Sequence, residues 1–569
     1  MYLRETKRRN ADGSVVRYYQ LAENTWDRRR GCAVAKVVYS FGRADSLDRE
    51  SLRRLAASIL RVCEDDAPRG AALRSADGTS VPDGVVLRDA RPFGGVYVLG
   101  AIWAELGIGR ILAEQCKRAG TTQPFERAIF AMVANRALSP YSKLYCWEQW
   151  LREEVYLPSA SALQLHHLYR AMDFLEEHRE EVEKAVYFAT SDLLNADVDL
   201  IFYDTTSLHF ENDAEDADVL DSEGGVAQRG LRKRGYSKNG RSDAPQIVVG
   251  LAVTRDGLPV RSWVFPGNQS DMATVEQVKH DLRGWRLGRC VFVADAGMNS
   301  ERNRRELSLG GGKYILATRL RAGDEVTKEV LARAGRYHEV AENLRVKEVL
   351  VGDGEARRRY VLCHNPLEAE RQQLQRARVI AELEAELEAM KGRSDRTQRA
   401  RQLMTARPYR RWLRRNGDQI EIDRKAVERD ARFDGKWVLQ TNDDTLAPED
   451  IALGYKQLLR VEACWRQLKS SLRMRPVHHY AERRIRAHVT LSVLALLLER
   501  VVETRAGDTW RNALAQLESI KVVEYENGAV RAQQTTELRP GVSALLAKLR
   551  VDPPPRLHAV SPAAPPARA

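Results

Sequence analysis

Two short apolar runs, Leu200-Ile201-Phe202-Tyr203 and Cys290-Val291-Phe292-Val293-Ala294, each lead straight into an aspartate, Asp204 and Asp295. Runs of this length and composition read as buried strands, and each delivers a carboxylate at its end. A third acid, Glu462, lies between Tyr455 and Lys469. Pro448 suits the first turn of a helix through this segment, and Glu449 and Asp450 complement its positive end. Ile451, Tyr455, Leu458, Glu462, Trp465 and Lys469 follow steps of three and four, which places them on one helical face. Glu462 is therefore expected in the packed stripe, where an unpaired carboxylate is costly. Metal coordination and an ion pair with a nearby Arg would each resolve that cost. For Asp204 and Asp295 the competing reading is a cap on the turn that follows. Three acids on separate rigid elements supply the hard oxygen ligands that Mg²⁺ or Mn²⁺ take. Two such ions about 4 Å apart activate an attacking oxygen and stabilise a leaving one.

The charge balance points to a polyanionic partner. The chain carries a formal +12 and a pI near 9.3, and its cations cluster. Residues 228–241 hold Arg229, Arg232, Lys233, Arg234, Lys238 and Arg241 with no acid among them. Residues 391–415 hold nine Arg and one Lys against the single acid Asp395, with Tyr409 and Trp412 interleaved. Such mixtures bind phosphates and stack on bases, and a solvated helix face is the plainer reading of either run. Lys233, Arg234, Lys238, Arg241, Arg410, Arg411, Arg414 and Arg415 are the candidate DNA-binding residues. The seven cysteines are scattered and none forms a CxxC pair, which argues against a zinc site or a disulfide framework and for a reducing, cytoplasmic setting. No apolar signal core opens the sequence. The longest apolar stretch, 489–498, is too short to span a bilayer and reads as a buried helix.

At 569 residues several domains are expected. Residues 1–64 read as short strands with a turn at Asp12-Gly13 and an amphipathic helix over 46–63. Residues 65–83 read as a loose linker. Residues 88–195 are helical and form a candidate DNA-binding region. Residues 196–321 alternate strands and helices, with a hairpin signal at Asp256-Gly257 and capping side chains at Ser270 and Asp271. A mixed sheet of about five strands follows from this pattern. Residues 322–430 read as a strand-rich insertion, and 431–505 return to the core with the Glu462 helix. Residues 506–569 form a C-terminal region whose Pro/Ala-rich end, from Pro553, is expected to be disordered.

At these residues the chain resembles the DDE transposases of bacterial insertion sequences, in the IS4-like superfamily and its IS1634-type group. The likeness runs through Tyr203-Asp204-Thr205-Thr206, residues 235–243, Pro266-Gly267-Asn268-Gln269-Ser270-Asp271, Ala294-Asp295-Ala296-Gly297-Met298 and residues 455–469. It implies an α/β, RNase H-like mixed-sheet catalytic core with a strand-rich insertion and an N-terminal helical DNA-binding region. It implies Asp204, Asp295 and Glu462 as the catalytic, metal-binding triad. The wider superfamily's signature Tyr-x2-Arg-x3-Glu-x6-Lys is met at Tyr455, Glu462 and Lys469, with Leu458 at the Arg position. Tyr455 and Lys469 thereby join the DNA-binding candidates.

The function expected is that of an insertion-sequence transposase. It would use Mg²⁺ or Mn²⁺, as two ions, to nick the ends of its element and join a 3′-hydroxyl to target DNA. Its partners would be terminal inverted repeats and target DNA, bound by a homodimer, in a bacterial nucleoid-associated setting. A structure-specific nuclease on the same core is the rival enzyme. A catalytically idle DNA-binding regulator is the non-enzymatic rival, which the intact triad disfavours.

Overall fold

The structure, a computed structural model, describes residues 2–9, 15–27, 32–43, 54, 85–194, 199–285, 287, 290–320, 326–354, 357–390, 396–406, 409–416, 419–527 and 530–562. The expected Asp12-Gly13 turn, the 65–83 linker, nearly all of the 46–63 helix and the last seven residues lie outside these. The chain divides into two units, residues 1–85 and 86–569. The first contains an antiparallel sheet of three strands, β1 (Tyr2–Arg9), β2 (Val15–Asp27) and β3 (Cys32–Arg43), with β2 in the centre. These strands are longer than the short ones expected.

Strand β4 (Val85–Pro92), all but its first residue in the second unit, is followed by a helical region from Gly94 to Leu194. The main sheet of that unit begins at β5 (Leu200–His209). A two-stranded ribbon, β6 (Val219–Leu220) and β7 (Val226–Gln228), leads to β8 (Gln246–Val253) and β9 (Pro259–Pro266). Asp256-Gly257 forms the β8–β9 turn, with Gly257 at φ +77°. Next come β10 (Val291–Ala294), β11 (Lys313–Thr318), β12 (His338–Ala341), β13 (Leu344–Val351) and β14 (Arg358–His364). A separate hairpin, β15 (Leu413–Asn416) and β16 (Gln419–Ile422), precedes β17 (Lys436–Thr441). The nine-stranded order is β12-β13-β14-β17-β11-β10-β5-β8-β9. Strand β10 runs parallel to both β5 and β11, and the other pairs are antiparallel.

The sheet is therefore wider than the five strands expected. The 322–430 stretch contributes three strands to it, because β14 pairs with β17, which in turn pairs with β11. Its other described elements are helices and the β15–β16 hairpin. It has its own small core of Ile380, Leu383, Met390, Leu403, Trp412 and Leu413. Trp412 belongs to that core and is not a free platform for base stacking, as its place in the basic run had suggested.

Both faces of the main sheet are covered, which is why its central strands read as continuous apolar runs. Along β5, Leu200, Phe202 and Leu208 join one core with the Phe125–Leu138, Leu459–Lys469 and Glu482–Ala506 helices. Ile201 and Tyr203 join the opposite core with Trp263, Phe292 and Val275 and Val278 of the Asp271–Gly284 helix. Each fully buried side chain of this size contributes roughly 1.5–3 kcal/mol. The C-terminal strands β18 (Lys521–Asn527), β19 (Val530–Thr535) and β20 (Leu557–Pro562) form a second sheet whose far edge is β4. The expectation of disorder from Pro553 is thus corrected for residues 557–562. Proline-rich composition hid a strand that is stabilised by pairing with β19. Among the described residues no single helix is long and apolar enough to cross a membrane.

The Glu482–Ala506 helix, read from the sequence as a buried apolar run, also buries an acid. Glu499 is fully inaccessible and accepts one hydrogen bond from Gln467 Nε2 at 2.7 Å. Burial, reinforced by Glu503, raises its carboxyl well above the usual range. A raised native pKa favours the protonated fold, so stability is lost as pH climbs from the ordinary carboxylate range toward the native value. Glu499→Gln removes that titration. Its Tm should equal or exceed the wild-type Tm by a few degrees at about pH 8, with the gap closing at about pH 5. An equal Tm deficit at both pH values would show that the carboxyl is a purely structural hydrogen-bond partner.

Candidate active site

The site is built by the parallel pairing of β5 and β10. Their register sets Ala294 opposite Tyr203, so Asp295 leaves β10 beside Asp204. Alternation along each strand then sets the faces. Asp204 shares the face of Leu200 and Phe202, and Asp295 continues the parity of Val291 and Val293, all in the core to which the Leu459–Lys469 helix belongs. Strand β5 does not stop at Tyr203 as its sequence suggested. Asp204 pairs with Leu251, and the strand continues to His209 because Thr205, Thr206 and Ser207 are held by β8.

Asp204 is buried enough that desolvation raises its carboxyl, aided by Asp271 and Asp295 and opposed chiefly by Lys238. Asp295 is more open. Its Oδ1 accepts from the Ala296 amide at 2.6 Å, so it caps the following turn, the competing reading for this residue. The same oxygen faces the Tyr455 hydroxyl at 3.5 Å. Tyr455 gathers the site. Its phenol is pushed upward by burial and then by Asp295, Glu462 and Asp204, so it senses all three acids. Lys469 ends the helix that carries Glu462. Burial and Arg475 lower its ammonium, with a partly opposing pull from Asp204.

Glu462 is exposed, which corrects its expected place in the packed stripe. The segment is two helices, Pro448–Lys456 and Leu459–Lys469, joined through a tight turn at Gln457 and Leu458. From Leu458 the buried stripe proceeds by three to Val461, then to Trp465 and Leu468. Glu462 is left on the shoulder, facing solvent. No salt bridge to it is seen among the described residues, so the ion-pair reading loses its basis. Among the described residues no three Asp, Glu, His or Cys side chains stand close enough to hold a metal ion as they are. The donor chemistry nonetheless fits a hard divalent ion: carboxylates on rigid elements, one of them poorly solvated.

Sequence reasoning missed Asp271. Its side chain was expected to cap the helix it begins. It turns instead to the sheet, where Thr205 Oγ1 donates to its Oδ1 at 2.5 Å and Lys238 Nζ lies 3.0 Å from its Oδ2. Its place beside the Pro266–Ser270 motif was the available signal. The basic run 228–241 is not a free cationic strip. Arg232 pairs with Asp216, Lys233 with Asp218, Arg234 with Glu215, and Arg241 with Asp243 and Glu211. In the second run Arg414 pairs with Glu421 at 2.7 Å, Arg411 lies 3.6 Å from Asp430 and over the Trp412 ring, and Arg410 is exposed. Arg415 is likewise exposed and engaged in an interaction of its own.

Two glycines fasten the Lys238 loop. A Cβ on Gly267 would stand 2.0 Å from Gln246 O and 2.2 Å from Lys233 O, and one on Gly235 would stand 2.3 Å from Gly267 O. The backbones touch because Gly267 N–H donates to Leu231 O, and Lys233 and Gln246 exchange amide hydrogen bonds. Gly267→Ala should therefore lower unfolding stability by about 1–3 kcal/mol, read from denaturant midpoints. Gly284→Ala, where a Cβ meets nothing within 4 Å, is the control and should be neutral. Equal midpoints for the two variants would disprove the close approach.

The chain belongs to the DDE transposases: the family described as the transposase DDE domain matches residues 201–498, more than half of the chain. Within them it falls in the IS1634 group, whose N-terminal domain matches residues 3–70. It is an insertion-sequence transposase, an enzyme of DNA transposition. Enzymes of this family work with divalent metal ions. No curated protein matches the chain. Among solved structures it is similar to a piggyBac transposase in a synaptic complex with hairpin DNA, at 10% identity and a TM-score of 0.33, over 69% of this chain and 71% of that one.

Proposed function

We infer that Asp204, Asp295 and Glu462 are the metal-binding triad of an RNase H-like core made by β9-β8-β5-β10-β11. The observation that carries this reading is the register of β5 against β10, which aligns two acids on the face where the Glu462 helix packs. Bound there, Mg²⁺ or Mn²⁺, as a pair, would activate water or a 3′-hydroxyl and stabilise the leaving oxygen. The chain's own side chains hold and orient. Tyr455 steadies Asp295 through its hydroxyl, and Lys469, beside Asp204, meets a scissile phosphate with its ammonium. The reaction class is in-line phosphoryl transfer, first to water at the element's ends and then to a 3′-hydroxyl for strand joining. The substrates are terminal inverted repeats and target DNA, held by a homodimer in the bacterial nucleoid, with the 88–195 helical region reading sequence.

The exposure of Glu462 makes its test decisive. Glu462→Gln should leave Tm and end binding nearly unchanged while abolishing Mg²⁺- or Mn²⁺-dependent end cleavage, a loss on the order of a thousandfold or more. A cleavage-competent Gln variant removes Glu462 from the triad. Strand joining by the wild-type protein separates a transposase from a nuclease on the same core.

A second expectation concerns DNA affinity. Replacing Arg410, Arg411, Arg414 and Arg415 with Ala should weaken binding and flatten its salt dependence, by about 0.9 in log–log slope for each phosphate no longer neutralised. Because Arg411 and Arg414 already have acid partners, and Arg415 is engaged as well, the weakening should come mainly from Arg410. An unchanged slope would assign the cluster to internal pairing alone.

A further inference from the structure

Lys238 lies on an exposed loop, with 31% of its side chain open to solvent, yet its ammonium is turned back onto β5. Its ammonium sits in an oxygen cage: Thr205 O at 2.8 Å, Thr205 Oγ1 at 2.7 Å, Asp271 Oδ2 at 3.0 Å and Asp204 Oδ1 at 3.8 Å. Three of these saturate the three donors of an ammonium. The fourth belongs to the acid that the proposed function assigns to metal. The placement is built by the fold. Lys238 N–H donates to Ser207 Oγ at 3.4 Å, and Asn239 Nδ2 donates to Ser207 O at 2.6 Å, so the loop is tied along β5 itself. Asp271 is tied in turn by the Thr205 hydroxyl. It also lies next to the turn after Asp295, because a Cβ on Gly297 would stand 3.7 Å from its Oδ2. Carbonyl, hydroxyl and carboxylate oxygens are the donors that a hard divalent ion also takes.

We propose that Lys238 is the resident counter-cation of the acid site, positioned by Asp271 and Thr205, and that a divalent ion must displace its ammonium before the site can load. The inference rests on the metal reading of Asp204. A dication and an ammonium within a few ångströms repel, so the two cations compete for the same oxygens. Lys238 keeps Asp204 and Asp271 from repelling one another in the DNA-free protein. Its departure frees a cation on the 236–241 loop at the point where substrate phosphate arrives. Ion loading is thereby coupled to the position of that loop.

The test is Mn²⁺ binding to the DNA-free full-length chain, followed by calorimetry and by the Mn²⁺-induced rise in Tm. Lys238→Met removes the ammonium and keeps the stem. It should bind Mn²⁺ about tenfold more tightly than wild type, and Mn²⁺ should raise its Tm by more. If it does not fold, Lys238→Gln, which retains a donor for Thr205, carries the same expectation. Asp204→Asn should lose Mn²⁺ binding. Unchanged or weaker Mn²⁺ affinity in the Lys238 variants, with Asp204→Asn still losing binding, overturns the counter-cation role alone. Full Mn²⁺ affinity in Asp204→Asn overturns the metal reading and the inference with it.

Discussion

The structure depends on one pairing: two parallel strands, β5 and β10, side by side in a sheet buried on both faces. Parallel strands need a long crossover between them, and here it comprises the β8–β9 hairpin and the Asp271–Gly284 helix. That crossover brings back Asp271, packs Trp263 against Tyr203, and returns the chain so that Asp295 emerges beside Asp204. Because side chains alternate, the same register that buries Phe202 and Val293 also turns both acids toward the Leu459–Lys469 helix. A slip of one residue in either strand would send an acid into the opposite core.

Charge is arranged locally, and the net +12 is a poor guide to where DNA lies. In the densest basic run of the core, Arg232, Lys233, Arg234 and Arg241 pair with acids at 211–218 and with Asp243. Pairs of this kind, partly open to water, add little stability each, but they remove free cations from the surface. Lys238 lies near Asp204 and Asp271, and Lys469, with Arg475 acting on it, feels the charge of Asp204 from another element. An ammonium from the site's own loop, that of Lys238, stands between Asp204 and Asp271.

Much of the catalytic region was legible in the chain. The apolar runs at 200–203 and 290–294, the Asp256-Gly257 turn and the proline-led start of the Pro448–Lys456 helix are local signals, and local signals survive into the fold. Glu462 was placed on the right helix and the wrong side of its stripe. The steps of three and four allowed either Val461 or Glu462 after Leu458, and only the partner surface decides between them. Asp271 was read as a cap because Ser-Asp before a helix is a capping pattern. Its engagement with Thr205, 66 residues away in sequence, has no local trace.

The sequence by itself determined the elements and the residue types: strands ending near acids, a helix bearing a third, and glycines where backbones must touch. Tertiary structure alone decided which strands are neighbours, how far the sheet extends through β17 to β12, that β20 pairs at all, and which cations are already spent on acids. The physical reason is range. Backbone preference and hydrophobic period act over a few residues, whereas sheet order and charge pairing depend on interactions between segments tens to hundreds of residues apart. Those interactions become favourable only when the intervening chain has packed.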